Sequence, residues 1–237
     1  MELGLRGRVA LVTASSRGLG FSSAKALAEE GANVVITSRD QSALERARAD
    51  LPGPVHAIAA DMSDQDTPRL VVEQTVERFG ALHVVVANNG GPPPGRALEL
   101  SDESIHHAVD ANLLSAVRLV REARPHLRTA GWGRICCITS YSIKQPIPTL
   151  ALSNVARTGL WAWVKTASPE LFAEGITLNL ACPGPHATDR MRQLGGGGPM
   201  GDPDRFGRIV AFLCSDAAAF MTGAAVNVDG GLTQGLL

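Results

Sequence analysis

The sequence predicts a doubly wound α/β fold, in which about seven parallel strands form a central sheet flanked by helices. Three observations predict this fold. Short apolar runs alternate with helical patterns along the whole chain. A glycine-rich turn joins the first apolar run to the first helical pattern, as in βαβ units. No linker divides the sequence, so residues 1–237 are interpreted as a single domain.

Each element follows from its pattern, taken in chain order. Seven apolar runs bounded by turn residues are predicted to be strands, over residues 9–13, 33–38, 55–60, 83–87, 134–138, 177–182 and 225–228. Helices are predicted from Gly20 to residue 30 and over residues 40–50, 66–79, 101–129, 151–173 and 203–214. Ser101 is the predicted N-cap of the fourth helix, and Gly131 and Gly133 flank its exit. Residues 183–202 are rich in Gly and Pro and are predicted to be a loop.

Composition excludes several classes of function. The net charge is −1 and Lys and Arg form no run, so a nucleic-acid surface is not expected and a small-molecule partner is. No apolar run is long enough to span a bilayer, and the first residues lack a signal-peptide core, so a cytoplasmic protein without membrane contact is expected. The four cysteines lack zinc or redox spacing and are expected to be reduced core thiols. His106 and His107 have no partner at ligand spacing, so no metal is assigned.

The turn after the first strand indicates a nucleotide site. Gly18 and Gly20 leave room for backbone N–H groups to approach a pyrophosphate at a helix amino end. Two glycines before a helix can also mark close packing between helix and strand. The position of the turn in the first βαβ unit favours the nucleotide interpretation.

The end of the second strand indicates which cofactor is bound. An acidic residue there would select NAD, but Ser38 and Arg39 occupy the position. Together with Arg17, Arg39 would supply two guanidinium groups for a 2′-phosphate. The alternative is that both arginines are merely solvated. Because both residues are cationic and both lie where a 2′-phosphate is expected, the sequence predicts NADP(H).

These residues carry a resemblance to the short-chain dehydrogenase/reductase superfamily, especially to its 3-oxoacyl-carrier-protein reductase-like members. It covers almost the whole chain, and the matching pieces are residues 13–20, Asp61-Met62, 88–91, Asn112, 133–140, Pro183-Gly184, Thr188 and 226–231. The resemblance implies a Rossmann-like fold and a homodimer or homotetramer. It also implies a reaction that interconverts a carbonyl and an alcohol by hydride transfer.

The resemblance also assigns roles to residues. Cofactor-binding positions in the first turn would be Thr13, Ser15, Ser16, Arg17, Gly18, Leu19 and Gly20. Asp61 and Met62 would border the adenine, and Asn88 and Gly90 would line the cofactor. The nicotinamide carboxamide would be held by Pro183, Gly184 and Thr188. Ser140 would bond the substrate oxygen, and Asn112 would organise a local water.

Two departures from the family pattern concern loops. Ala14 stands where the family has glycine, which narrows the first turn without forbidding cofactor binding. Gly90 and Gly91 stand where the family has Ala-Gly, and prolines 92–94 follow them. This stiff loop would reshape the mouth of the substrate site.

The main departure concerns proton transfer. The family has a tyrosine thirteen residues after the serine that corresponds to Ser140, and a lysine four residues further on. Here these positions hold Ser153 and Arg157. A serine hydroxyl is far less acidic than a phenol, whose pKa is about 10. Arg157 stays protonated, so it would bond the nicotinamide ribose and supply charge without relaying protons.

Three nearby residues are candidates to replace the missing acid. Lys144 is preferred, because a partly desolvated lysine can shift its pKa toward neutral pH. Tyr141 is chemically closer to the usual acid but directly follows Ser140 and would point away from its face. His186 beside the expected nicotinamide is the third. The catalytic set predicted from sequence is therefore Ser140, Lys144, Ser153, Arg157 and Asn112.

Other features bear on assembly and on an alternative function. Trp161 and Trp163 lie on different faces of a helix and are expected to serve core or subunit packing. Residues 226–237 form an apolar ending that favours oligomerisation. The segment 188–203 is shorter than the helical lid usual in the family, which predicts an open pocket. The missing donor and the missing lid also fit a cofactor-binding protein without turnover, acting as a redox sensor or assembly subunit.

Overall fold

In the computed structural model, which describes residues 2–195 and 197–236, seven parallel strands form one sheet. Three residues lie outside the described ranges: Met1 of the predicted domain, Gly196 of the glycine run and Leu237 of the apolar ending. The strands are β1 Val9–Val12, β2 Asn33–Ser38, β3 Val55–Ala59, β4 Val84–Ala87, β5 Gly133–Ile138, β6 Ile176–Pro183 and β7 Ala225–Val228. Their order is β3-β2-β1-β4-β5-β6-β7, which confirms the doubly wound sheet predicted from the sequence.

Helices connect the strands on both faces. They are α1 Gly18–Glu29, α2 Gln41–Ala49, α3 Thr67–Phe79, α4 Asp102–Val109, α5 Ser115–Thr129, α6 Ala151–Phe172, α7 Asp189–Gln193 and α8 Pro203–Leu213. In the described part of the chain, no helix is both long and apolar enough to cross a membrane.

The sheet separates two apolar layers, because successive strand residues point to opposite faces. Leu11, Val35 and Val85 face a layer formed with α3, α5 and α6, against which Trp161 and Trp163 also pack. The residues on either side of Leu11, Ala10 and Val12, face α1, α2 and α8 on the other side of the sheet. All four cysteines are buried and carry no disulfide, as predicted.

Two predictions differ from the structure by more than the end residues of an element. The helix predicted over 101–129 is divided into α4 and α5 by one π-helical turn, Asp110–Leu114. Its predicted N-cap is confirmed, since the Ser101 side chain accepts a hydrogen bond from the Ser104 N–H at 3.2 Å. The loop prediction for 183–202 was wrong at α7, where Thr188 caps the helix by accepting the Met191 N–H at 3.3 Å.

A cluster around Trp132 closes the amino end of the sheet. The guanidinium carbons of Arg8 and Arg134 each lie 4.2 Å from the centroid of the Trp132 ring. His83 packs edge-on against the same ring, and its Nδ1 accepts the Val9 N–H at 3.0 Å. Burial, and next the positive charge of Arg8, lower the pKa of His83. The fold therefore requires this imidazole to be neutral.

His83 is expected to make the free energy of unfolding depend on pH. Because its pKa is lower in the folded chain than the ordinary 6.5, the unfolded chain binds the proton more readily. The stabilisation is therefore complete above about pH 6.5 and declines as the pH falls. His83→Asn keeps an acceptor for Val9 without titrating, so urea unfolding should show a smaller loss between about pH 7.5 and 5.5. The exposed His107→Asn serves as control, and equal pH profiles for His83→Asn and wild type would contradict the assignment.

The turn between β1 and α1 contains a strained alanine. Ala14 has φ +46°, a left-handed conformation that costs an L-residue about 1–2 kcal/mol, and glycine adopts it freely.

Ala14→Gly should therefore stabilise the protein by about 1 kcal/mol in urea unfolding. The matched change is Gly18→Ala at φ +61°, where a Cβ would lie 3.7 Å from Thr188 and fit without a clash. It should lower stability by a similar amount, and shifts of the same sign in both variants would refute the strain argument.

Candidate active site

The carboxyl ends of β1, β4, β5 and β6 meet at one edge of the sheet, beside the point where the strand order reverses. In doubly wound sheets, ligands bind in the crevice at this point. The loops that leave these strands bring together the predicted residues from the first turn, from the loop after β4, from the end of β5 and from the segment after β6. The predicted site residues therefore share one edge although they are distant in sequence.

Thr13 and Asn88 fix the first turn against the end of β4. The Thr13 hydroxyl donates to the Asn88 carbonyl at 2.8 Å and accepts the Asn88 N–H at 2.9 Å. The Asn88 side chain donates to the Ala14 carbonyl at 3.0 Å. A Cβ on Gly20 would lie 2.5 Å from that side chain, so only glycine fits there. Both polar residues hold the shape of the turn.

The side chains of Ser15 and Ser16 point in different directions from the turn. Ser15 is fully buried, and its hydroxyl donates to the Val12 carbonyl at 2.7 Å and accepts the Thr37 N–H at 3.1 Å. Its contribution is therefore to the inner frame of the turn. The Ser16 hydroxyl instead bonds the Ser38 hydroxyl at 2.9 Å.

The amino end of α1 supplies free donors. Gly18 and Leu19 are its first residues, and Arg17 at the N-cap position makes no side-chain capping bond. The first N–H groups of a helix have no partners within it, and they attract anions. This end of α1 therefore fits a phosphate group.

Arg17 and Arg39 lie on neighbouring loops, since each follows one serine of the Ser16–Ser38 pair. The Arg39 side chain is 78% exposed and lies 3.5 Å from an Asp61 carboxylate oxygen. Burial raises the pKa of Asp61, but hydrogen bonds from Ser63 and the charge of Arg39 outweigh it and hold that pKa below the ordinary value. Asp61 is thus ionised at neutral pH.

Three other predicted cofactor positions follow strands at the same edge but differ in their surroundings. Met62 is buried in the core behind Asp61. Gly90 is surrounded by open space, because a Cβ there would meet no atom within 4 Å. Gly184, directly after Pro183, packs so closely against Asp229 that a Cβ would lie 2.6 Å from the Asp229 Cα.

Ser140 lies at the end of β5, half-buried, before a short 3₁₀ turn. Its hydroxyl oxygen accepts the Ser142 N–H at 3.1 Å. Because that bond uses a lone pair, the hydroxyl proton stays available for another acceptor. The geometry suits a residue that donates to a substrate oxygen.

Ser153 and Arg157 lie one helical turn apart on α6 and are both buried, at 8% and 7% exposure. The Arg157 guanidinium donates to the Ile138 and Thr139 carbonyls at 3.0 and 2.8 Å. It also donates to the Asn112 side-chain oxygen at 3.4 Å. These contacts fasten α6 to the end of β5 and to the π-helical turn that carries Asn112.

Burial shapes the electrostatics of Arg157. Burial, and next the positive charge of Arg190, lower the pKa of Arg157 to about 10. The guanidinium is therefore still protonated at neutral pH. A fixed positive charge thus lies against the carbonyls of the two residues that precede Ser140.

Tyr141 begins the 3₁₀ turn after Ser140, and Lys144 directly follows that turn. The Lys144 ammonium is 5.9 Å from the centroid of the Trp161 ring, within cation–π range. Burial, and next the negative charge of Asp229, raise the pKa of Tyr141. A higher pKa makes this phenol a weaker acid than an exposed tyrosine.

The structure gives His186 a packing role. Its ring is 5% exposed and meets the Phe206 ring edge-on at 5.1 Å between centroids. Its Nδ1 bonds the Gly184 carbonyl at 2.9 Å. The ring is therefore turned into the body of the protein and packs against α8.

Sequence reasoning missed Arg190. This residue lies on α7, and its guanidinium donates to the Pro92 carbonyl at 2.6 Å across the mouth of the site. The capping signal of Thr188 could have revealed α7. The contact with Pro92 has no local signal, because 98 positions separate the two residues.

Comparison with known proteins indicates the family of this chain. A family model described as enoyl-(acyl carrier protein) reductase matches residues 13–233. Dehydrogenase/reductase SDR family member 4 of Bos taurus is 31% identical over 245 residues, covering 96% of this chain and 88% of that protein. The 3-oxoacyl-[acyl-carrier-protein] reductase FabG of Haemophilus influenzae is 28% identical over 239 residues, covering 96% and 99%.

A solved structure extends the likeness to three dimensions. It is that of L-sorbose reductase from Gluconobacter frateurii complexed with NADPH and L-sorbose, with a TM-score of 0.93 at 27% identity and full coverage of both chains. The sheet order, the first turn and these matches lead to one assignment. The chain belongs to the short-chain dehydrogenase/reductase family of oxidoreductases.

Proposed function

We propose that this oxidoreductase depends on NADP(H) and interconverts a carbonyl and an alcohol by hydride transfer. The observation that carries the proposal is the shared edge of the sheet, where an uncapped helix amino end lies near two arginines and a free serine hydroxyl. That combination offers donors for a phosphorylated dinucleotide on one side and for a substrate oxygen on the other.

The residues present fit the cofactor. The amino end of α1 suits the pyrophosphate, and Arg17 and Arg39 suit a 2′-phosphate. The open space at Gly90 leaves room for a ligand beside the end of β4. Segment 183–188 suits the carboxamide. The likeness to a reductase complexed with NADPH supports the same choice.

When bound, the cofactor supplies or accepts the hydride. Ser140 donates its hydroxyl proton to the substrate oxygen in a hydrogen bond, oriented by the Ser142 N–H that it accepts. The fixed charge of Arg157 stabilises negative charge that develops on that oxygen. Asn112, held by Arg157 and by its bond to the Ala108 carbonyl at 3.3 Å, organises a local water.

Lys144 supplies the proton in this proposal. Among residues 2–195 and 197–236, it forms no ion pair with a carboxylate, so its proton is not committed to a partner. The Trp161 ring restricts solvent on one side of the ammonium. Ser153 is a poor acid, and its buried side chain contributes to the packing of α6.

The assembly of the protein and its location in the cell are part of the proposal. We infer a homodimer or homotetramer in the cytoplasm. Two features support association: Val155 on α6 is 51% exposed, and the α5–α6 groove is lined by Val120, Trp163 and Leu171.

Cofactor choice is testable at Arg39. Arg39→Asp replaces a cation by an anion where the 2′-phosphate is expected. A hydrogen bond to a charged group is worth about 1.5–3 kcal/mol, so NADPH should bind at least about tenfold more weakly. NADH binding should change little. Arg69→Asp makes the same charge change on α3, and fluorescence titration should show no effect there. Equal affinity of the wild type for NADPH and NADH would contradict the proposal.

The replaced acid is testable by restoring the family residues. Ser153→Tyr with Arg157→Lys should create or raise ketone reduction by about 10²–10⁴-fold, the usual contribution of general acid catalysis. Lys144→Ala should lower the activity of the native protein but matter less in the double variant.

Controls for that experiment separate catalysis from folding. Arg157→Lys removes bonds to β5, so thermal unfolding is measured beside the rates with a panel of ketones, 3-oxoacyl thioesters and quinones. Ser140→Ala should abolish turnover in both backgrounds. If Lys144→Ala were harmless in the native background, another proton source would be required. NADPH binding with no turnover in any variant would favour a cofactor-binding protein that does not catalyse.

A further inference from the structure

Arg190 crosses the mouth of the site. Its Nη2 donates to the Pro92 carbonyl at 2.6 Å, and its guanidinium lies against Gly91, where a Cβ would be 3.3 Å from Nη2. A guanidinium has five N–H donors in a rigid fork. In the described part of the chain, one acceptor, Pro92, is bonded to it, so most of the fork remains to bind a ligand.

Arg190 belongs to a group of cations at the ends of β5 and β6. Its charge helps to lower the pKa of Arg157, which places the two guanidinium groups within electrostatic range. Burial raises the pKa of the Cys182 thiol to about 11, and the charges of Lys144 and Arg157 oppose that rise. The geometry agrees: Arg157 is bonded to the carbonyls of the two residues before Ser140, Lys144 lies four residues after Ser140, and Arg190 is bonded to Pro92 at the mouth.

The nearby carboxylates have other partners. Asp189, adjacent to Arg190, is paired with Arg192 at 2.5 Å. Asp229 accepts the Thr233 hydroxyl at 2.6 Å and N–H groups of the C-terminal turn. Within residues 2–195 and 197–236, Lys144, Arg157 and Arg190 form no ion pair. Asp229 keeps its charge, but the three cations outnumber it, and an excess of one sign of charge concentrates ligands of the opposite sign.

We propose that Arg190 binds an anionic group of the substrate, so that the enzyme acts on carbonyl or alcohol compounds bearing a carboxylate or phosphoryl group. The fork of Arg190 matches the paired oxygens of either group. Arg190 thereby determines specificity, while Ser140 bonds the reacting oxygen. This inference rests on the proposed function.

The test uses variants of the full chain and begins with binding. Arg190→Gln removes the charge but keeps an amide donor for the Pro92 carbonyl, so α7 stays attached. Calorimetric titration of the NADP⁺ complex with malonate, and separately with inorganic phosphate, measures anion affinity. Loss of one charged contact should weaken binding of the preferred anion at least about tenfold. Arg190→Lys should recover part of that loss. Arg192→Gln, on the same helix but 67% exposed and paired with Asp189, should change it less than about twofold.

A kinetic arm compares each acid with its neutral ester. Arg190→Gln should lower kcat/KM for 2-oxo and 3-oxo acids, or for phosphorylated ketones, at least about tenfold and leave the methyl esters within about threefold. A preference for malonate with the oxo acids indicates a carboxylate. A preference for phosphate with the phosphorylated ketones indicates a phosphoryl group.

Three outcomes would overturn the inference. Wild-type protein that binds neither malonate nor phosphate lacks the site. An equal effect of Arg190→Gln on acids and esters removes the charge argument. A loss of NADPH affinity as large as the loss of anion affinity means that Arg190 serves the cofactor. Failure of NADPH to bind the wild type would instead refute the proposed function. The anion site is then measured without cofactor as the difference in malonate or phosphate affinity between wild type and Arg190→Gln, because the α1 end, Arg17 and Arg39 are the same in both proteins.

Discussion

The buried guanidinium of Arg157 needs hydrogen-bond acceptors inside the protein, because an unpaired buried charge would cost several kcal/mol. Its acceptors are the carbonyls of Ile138 and Thr139 and the side chain of Asn112. They belong to the end of β5 and to the π-helical turn, while Arg157 itself belongs to α6. One charged side chain therefore fixes the three elements that border the site, including the residue that precedes Ser140.

This arrangement separates two tasks. A guanidinium with a pKa of about 10 is a permanent cation at neutral pH, so it stabilises negative charge but does not transfer protons. In the tyrosine and lysine pattern of the family, charge and proton supply lie one helical turn apart. Here Ser153 offers neither, and in the proposed mechanism the proton comes from the loop after β5. Lys144 lies in that loop, four residues after Ser140, whereas the carbonyls that accept from Arg157 belong to the two residues before Ser140.

Much of the fold could be predicted because parallel strands are buried on both faces and appear as short apolar runs. The run at Val84–Ala87, for example, needs no knowledge of its neighbours. The π-helical turn at Asn112 could not be predicted, since one extra residue hardly changes helical periodicity. Side-chain direction was also hidden. Ser15 turns inward because Thr37 accepts and donates hydrogen bonds there, and His186 because Phe206 packs on it.

The mouth of the site follows from contacts of the same long-range kind. The short segment after β6 predicts an open pocket, and two polar contacts border that opening in the structure: Arg190 to the Pro92 carbonyl, and the Gln234 N–H to the Gln145 side chain at 2.9 Å. A hydrogen bond contributes only about 0.5–1.5 kcal/mol net, so a mouth held in this way opens at little cost. In the proposed mechanism, a tightly closed lid is therefore not what excludes water. Stabilisation of the reacting oxygen would come from groups that are fixed and desolvated before the substrate arrives, and Arg157, buried and bonded to the carbonyls of the two residues before Ser140, meets both conditions.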